Sequence, residues 1–172
     1  MKTVIVPVHA STAIPSSVSQ VGRALRRAAG FVSLAVSAAA PAFGAVPDER
    51  ILHADREPQN WLTYAGTYQS HRYSPLAQIN RQNVAQLKTA WIYQIRQPGI
   101  IETSPLVADG VMYLTEPPST VTALDTRSGR ALWTWSPNIP RDVVIIGSPP
   151  INRGVALLGD MVFVGTVHGH LV

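Results

Sequence analysis

The chain is 172 residues long, 46% hydrophobic and 14% charged, with 14 prolines, 12 glycines and no cysteine. That composition excludes a disordered or collagen-like polymer, a disulfide scaffold, a thiolate metal site and a cysteine nucleophile. The formal charge of +4 comes from Lys2, Arg23, Arg26 and Arg27 in the first 44 residues, because the other 10 basic residues are matched by 10 acidic ones; the body therefore lacks the basic stripe that nucleic acid requires.

Residues 1–44 read as a secretory signal peptide. Arg23, Arg26 and Arg27 precede an uncharged run, AAGFVSLAVSAAAPAFGA, from Ala28 to Ala45, which has the order of a basic n-region, a short apolar h-region and small residues near a cleavage point. Cleavage after Gly44 puts Ala42 at the −3 position, and a cut near Ala40 is the alternative. The competing reading is an uncleaved anchor, against which stand a length slightly short of a ~20-residue span and a high content of Ala and Ser. The expected location is the periplasm.

Residues 45–87 read as an N-terminal lead-in. Trp61, Tyr64, Tyr68 and Tyr73 lie among Gly, Ser and Pro without a helical period, so they predict an irregular loop with aromatic anchors. Ile79 to Leu87 predicts one short helix, with Asn80 as N-cap and Val84 and Leu87 as its apolar face.

From Lys88 to Val172 short strands dominate. Lys88 to Ile95 is rich in β-formers. Ser104 to Ala108 and Val111 to Thr115 flank Asp109-Gly110, a strong hairpin signal. Thr120 to Leu124 and Arg130 to Trp135 flank a turn from Asp125 to Gly129. The pattern then restarts: Arg153 to Leu158, a Gly159-Asp160 turn, Met161 to Thr166, a His168-Gly169 turn and a last short strand. VMYLT at Val111 to Thr115 reappears as VFVGT at Val162 to Thr166, an offset of about 50 residues, the length of a propeller blade. The fold class is all-β, either a propeller or a sandwich.

The string from Ala123 to Trp133, A-L-D-x-x-S-G-x-x-x-W, favours the propeller. Asp125 would cap its own turn, Gly129 would take a positive φ, and Trp133 would lie on the outermost strand, where a large ring locks one blade to the next. This string resembles the tryptophan docking motif of quinoprotein propellers, and KTAW at Lys88 to Trp91 resembles the same outer-strand ending. In order along the chain, NWLTYAGTYQSHRYSPLAQINRQNVAQLKTAW, IETSPLVADGVMYLTEPPSTVTALDTRSGRALW and INRGVALLGDMVFVGT resemble the N-terminal part of the pyrroloquinoline quinone (PQQ)-dependent alcohol dehydrogenases, over roughly Asn60 to Val172.

That resemblance implies the first blades of an eight-bladed propeller within a secreted or membrane-associated enzyme. It implies PQQ on the central axis with calcium or a lanthanide, oxidation of an alcohol or aldehyde, and a cytochrome c as electron acceptor. It assigns cofactor contacts to Glu102, in IETSP, and to Arg153, in NRG. A fixed cation beside quinone oxygens suits the negative charge that develops on reduction. It also implies that the metal ligands and the catalytic base lie in later blades, so that this stretch alone is inactive. Where many family members carry adjacent cysteines over the cofactor, the chain reads Gly147-Ser148-Pro149-Pro150-Ile151, and the proline pair is expected to form a rigid apolar lid instead. A non-catalytic propeller scaffold of the cell envelope is the alternative.

Other residues carry weaker signals. His168 and His170 are spaced as same-face strand neighbours; a metal pair is one reading and a polar blade surface the other. His53 and His71 read as loop residues, and Glu116-Pro117-Pro118 as a rigid turn. Neither a hydrolase triad with G-x-S-x-G nor a phosphate-binding glycine loop is present.

Overall fold

The computed structural model describes residues 44–143 and 149–172. The leader expected over residues 1–44 lies outside them except for its last residue, as do Gly147 and Ser148 of the expected lid.

The centre of the fold is a four-stranded antiparallel sheet, β1 (Leu106–Ala108), β2 (Val111–Glu116), β3 (Thr120–Asp125) and β4 (Ala131–Trp135), in the order β1-β2-β3-β4. Each connection is local and each turn has a chemical cause. Between β1 and β2, Asp109 and Gly110 have φ of 49° and 81°, as a two-residue hairpin turn of the primed type needs. Between β3 and β4, Asp125 Oδ1 accepts from the amides of Arg127 at 3.1 Å and Ser128 at 2.8 Å, and Gly129 has φ 69°. A register shift between Ala123 and Leu124 bends β3 against β4. A second hairpin, β5 (Ala156–Leu158) and β6 (Met161–Phe163), begins the repeat. This is one complete propeller-type blade followed by the start of another.

Both faces of the central strands are covered. Register places Tyr113 opposite Leu106 and Ala123, and Ala123 opposite Trp133, so these share one face. That face packs into a core with Val46, Ile51, Ala54 and Leu62 from the lead-in and Leu157 from β5. Trp133 lies against Tyr113, with ring centroids 6.1 Å apart, and its buried indole N–H has no hydrogen-bond partner among the described residues. On the opposite face, the Glu116 carboxylate accepts hydrogen bonds from Thr122 and from Tyr93 and Arg96 of the segment Trp91–Arg96.

The lead-in is stitched to the blade by polar groups. A one-and-a-half-turn helix, α1 (Asp48–Leu52), which the sequence reading did not anticipate, starts after Pro47 with Asp48 and Glu49 in its first turn; acidic residues suit that end of the helix. Its Arg50 pairs with Glu57 at 2.6 Å and with Asp109 at 2.8 Å in the β1–β2 turn. Trp61 extends the sheet beyond β1 by a two-way backbone pairing with Val107 at 2.8 and 3.0 Å.

Two local expectations are corrected. The helix expected over Ile79 to Leu87 is a series of turns with a 3-10 segment at Val84–Gln86. Asn80 Oδ1 accepts from the amides of Gln82 and Asn83, and Asn83 Oδ1 accepts from the Asn80 amide; these local bonds compete with helix continuation. Val84 and Leu87 are exposed, so no apolar face drives a helix there. Lys88 to Ile95 is extended but pairs with no strand among the described residues. Alternation survives: Trp91, Tyr93 and Ile95 are half-buried, while Ile92 is 85% exposed.

Candidate cofactor-binding site

Strands β1 and β5 begin side by side, and the residues leading into them form the site. The Ser104 amide donates to the Arg153 carbonyl at 3.1 Å. Gly154, at φ 128°, brings its Cα close to Ser104: a Cβ there would lie 3.1 Å from the Ser104 carbonyl oxygen. Thr103 Oγ1 accepts from the Thr115 amide at 3.0 Å, and Thr115 Oγ1 donates to the Asn152 carbonyl at 3.3 Å. Asn152 turns its own loop, with Oδ1 accepting from the Gly154 amide at 3.1 Å and Nδ2 donating to Gly165 at 2.6 Å. Small and polar side chains thus fix the backbone on both sides while the charged side chains project outward.

Those charged side chains are Glu102 and Arg153, which the structure brings together. The Arg153 guanidinium lies 3.0 Å from Glu102 Oε2, with side-chain exposures of 75% for Arg153 and 40% for Glu102. An ion pair this exposed contributes about 0–1 kcal/mol to stability, so it does little to hold the fold. Its effect is to hold two opposite charges in a fixed arrangement with unused donors on the guanidinium.

Arg72 had no role in the sequence reading, and Tyr64 figured there only as an aromatic of the lead-in. The Arg72 guanidinium lies 4.8 Å from the centroid of the Tyr64 ring. The Tyr64 hydroxyl is held below the usual phenol range, first by Arg72, with the Ser104 hydroxyl and the Arg153 charge acting in the same direction. Arg72 has φ 51° and Ser70 φ 57°, backbone positions that L-residues seldom occupy. Only the unpatterned HRY run of the sequence marks Arg72, and it carries no spacing signal. Glu116 ends β2 at the turn that its Pro-Pro sequence predicts, and its side chain does more than enter that turn. It is 2% exposed, and its carboxylate accepts from Tyr93 Oη at 2.8 Å, Thr122 Oγ1 at 2.6 Å and the Arg96 amide at 2.9 Å. Among the described residues no group of three His, Cys, Asp or Glu side chains could hold a metal ion.

Residues 61–172 match the family model described as "PQQ: Glucose/ethanol/alcohol dehydrogenase, beta-propeller domain". The chain belongs to the PQQ dehydrogenase β-propeller family. It is 44% identical over 125 residues to the dehydrogenase subunit of a quinone alcohol dehydrogenase from Gluconacetobacter polyoxogenes, covering 72% of this chain and 17% of that protein. It is also 44% identical over 127 residues to the quinohemoprotein alcohol dehydrogenase ADH-IIG of Pseudomonas putida, covering 73% of this chain and 18% of that one. The solved structure of that Pseudomonas putida enzyme superposes with a TM-score of 0.66, covering 74% of this chain and 19% of its own. A europium-containing methanol dehydrogenase superposes with a TM-score of 0.63 at 29% identity, covering 69% of this chain and 21% of its own. The chain thus spans about a fifth of the length of these relatives. The family match covers the first blade and the start of the next, as the sequence led one to expect.

Proposed function

We propose that this chain supplies one wall of the PQQ site in a dehydrogenase that oxidises an alcohol or aldehyde and passes the electrons to a cytochrome c. The observation that carries the reading is the Glu102–Arg153 pair at 3.0 Å, projecting from the adjoining starts of β1 and β5. PQQ is a polyanionic ortho-quinone, and when bound it supplies the redox chemistry. The residues present fit such a group. Arg153 offers a planar set of donors to quinone or carboxylate oxygens. Glu102 orients that guanidinium and offers an acceptor, while Arg72 adds a second cation close by. The metal partner, calcium or a lanthanide, would draw its ligands from parts of the family fold that this stretch does not span. On this reading residues 44–172 by themselves reduce no dye. The relatives' printed names support the rest: several are quinone alcohol dehydrogenases, and one from Thauera butanivorans is a 1-butanol dehydrogenase (cytochrome c). Export to the periplasm through residues 1–44 belongs to the same proposal, and N-terminal sequencing of the protein recovered from a periplasmic extract tests it.

The test of the site is a transplant. Residues 61–172 replace the matching stretch of the Pseudomonas putida relative, and PQQ binding and alcohol-dependent dye reduction are measured. The chimera is expected to bind PQQ and turn over. Arg153→Ala should weaken PQQ binding at least tenfold, Arg153→Lys less, and Glu102→Gln should lower turnover. PQQ affinity unchanged in Arg153→Ala would sink the assignment.

A further inference from the structure

A second cluster lies in the hairpin that follows β6. Val164 and Val172 exchange backbone hydrogen bonds at 2.9 and 3.0 Å, and Gly165 pairs with Leu171. The Thr166 amide donates to the His170 carbonyl at 2.8 Å, and Thr166 Oγ1 accepts from the His170 amide at 3.1 Å. Gly169 closes the turn at φ 83°, its amide donating to the Thr166 carbonyl at 3.0 Å. The turn is anchored to the first blade by the Val167 amide, which donates to Ser119 Oγ at 2.9 Å. These bonds fix the backbone on both sides of two imidazoles.

The rings themselves are close. The centroids of His168 and His170 lie 4.4 Å apart with an interplanar angle of 58°. His168 Nδ1 is buried without a hydrogen-bond partner among the described residues. A buried ring nitrogen with neither donor nor acceptor is unfavourable, and a cation between the rings would use its lone pair. The separation suits that occupant: with metal–nitrogen bonds of about 2.1 Å, two imidazoles bound cis to one ion hold their ring centres about 4.5 Å apart. His170 is exposed, so its ring has room to turn toward an incoming ion.

We propose that His168 and His170 form a two-imidazole site for a divalent first-row transition metal ion, with copper(II) held most tightly. Imidazole suits copper, nickel and zinc, and affinity for a given nitrogen site rises toward copper. Cis nitrogens at this separation match the near-right angle of a tetragonal ion rather than the wider angle of a tetrahedral one. Water completes the coordination, since no third His, Cys, Asp or Glu among the described residues joins the pair. The site involves neither Glu102 nor Arg153 and does not depend on the cofactor reading.

The test is a copper(II) titration of the metal-free protein in a weakly competing buffer, read by electron paramagnetic resonance. One equivalent is expected to bind, with hyperfine structure from two imidazole nitrogens. His168→Gln and His170→Gln should each weaken binding at least tenfold, and His53→Gln and His71→Gln should leave it unchanged. On the unsubstituted protein, one equivalent of copper should protect His168 and His170, but not His53 or His71, from diethylpyrocarbonate, as read by peptide mass spectrometry; this second measurement stands even if a variant fails to fold. A spectrum with fewer than two nitrogens, unchanged affinity in either turn variant, or equal modification of His168 and His170 with and without copper overturns the proposal.

Discussion

The indole of Trp91 lies against the backbone of Gly129 and donates its Nε1 proton to the Thr126 carbonyl at 2.9 Å. A Cβ on Gly129 would fall 2.5 Å from the ring carbons of Trp91. The turn that begins with Asp125 is therefore a receptor for an aromatic ring that arrives from outside the four-stranded sheet.

Gly129→Ala should be among the most damaging single substitutions in the chain. It forces a side chain into φ 69° and into the Trp91 ring at once. The positive φ alone costs about 1–3 kcal/mol, and the clash adds to it. Trp91→Phe keeps most of the packing and loses the hydrogen bond, at about 1 kcal/mol. Denaturant unfolding followed by far-ultraviolet circular dichroism checks the ranking, which fails if Trp91→Phe proves the worse of the two.

Glu116 predicts a pH dependence. Burial pushes its carboxyl up, but the bonds from Thr122, the Arg96 amide and Tyr93, with the Arg96 charge, outweigh burial and hold it below the usual carboxylate range. A folded-state value below the unfolded one, about 4.3, gives stability that is present above that pH and lost as the pH falls through the lower, folded value. Glu116→Gln removes this dependence and turns a donor toward groups that already donate, at a cost of about 2 kcal/mol near neutrality. Unfolding midpoints between about pH 3 and 7 should slope in the parent and flatten in the variant; parallel curves would count against the assignment.

The strands and turns of the blade were legible because their causes are local. Asp109-Gly110 and Asp125 to Gly129 show their φ requirements in residue type, and both turns form as expected. Lys88 to Ile95 reads as a strand from the same local signal, yet sheet pairing depends on a neighbour that the residue types do not name. Asn80 was correctly placed as a local acceptor, but reciprocal capping by Asn83 leaves only a 3-10 turn. The pairing of Glu102 with Arg153 was approachable only through family resemblance, since nothing in IETSP or NRG by itself brings the two together, fifty-one positions apart. Glu116 was read from its Pro-Pro context, while its actual partners, Tyr93 and Arg96, lie 23 and 20 residues upstream.

Arg50 ties α1 to the β1–β2 turn. Glu57 and Asp109 are both held below the usual carboxylate range, each chiefly by the bond from Arg50. Arg50→Met should release the helix from Asp109 at a cost of about 1 kcal/mol, modest because the network is partly exposed and screened by solvent. Both acids have lowered folded values, so the stabilisation is present above about pH 4 and fades as the pH falls through those values. Faster hydrogen exchange at the His53 and Glu57 amides in Arg50→Met than in the parent is the readout; equal rates would show that α1 is held by its apolar face alone.

Pro149 and Pro150 are exposed beside the strand start that carries Arg153. If they form the expected rigid lid, a Pro149→Gly and Pro150→Gly double variant of the chimera should bind PQQ several-fold more weakly. Isothermal titration reads this directly, and unchanged affinity would leave the lid without a role.

Trp133 sits in β4 as Trp91 sits in its extended segment, yet among the described residues its indole N–H has no acceptor. Trp91 has its acceptor 35 residues downstream. In this arrangement the unit of architecture and the unit of cooperativity are out of phase: the four-stranded sheet is finished by a ring from the segment that precedes it. Cutting the gene just before β1 would separate a key from its lock. Recombination that shuffles such repeats should therefore succeed when the Trp91 segment travels with the sheet that receives it, and fail when a crossover falls between the two.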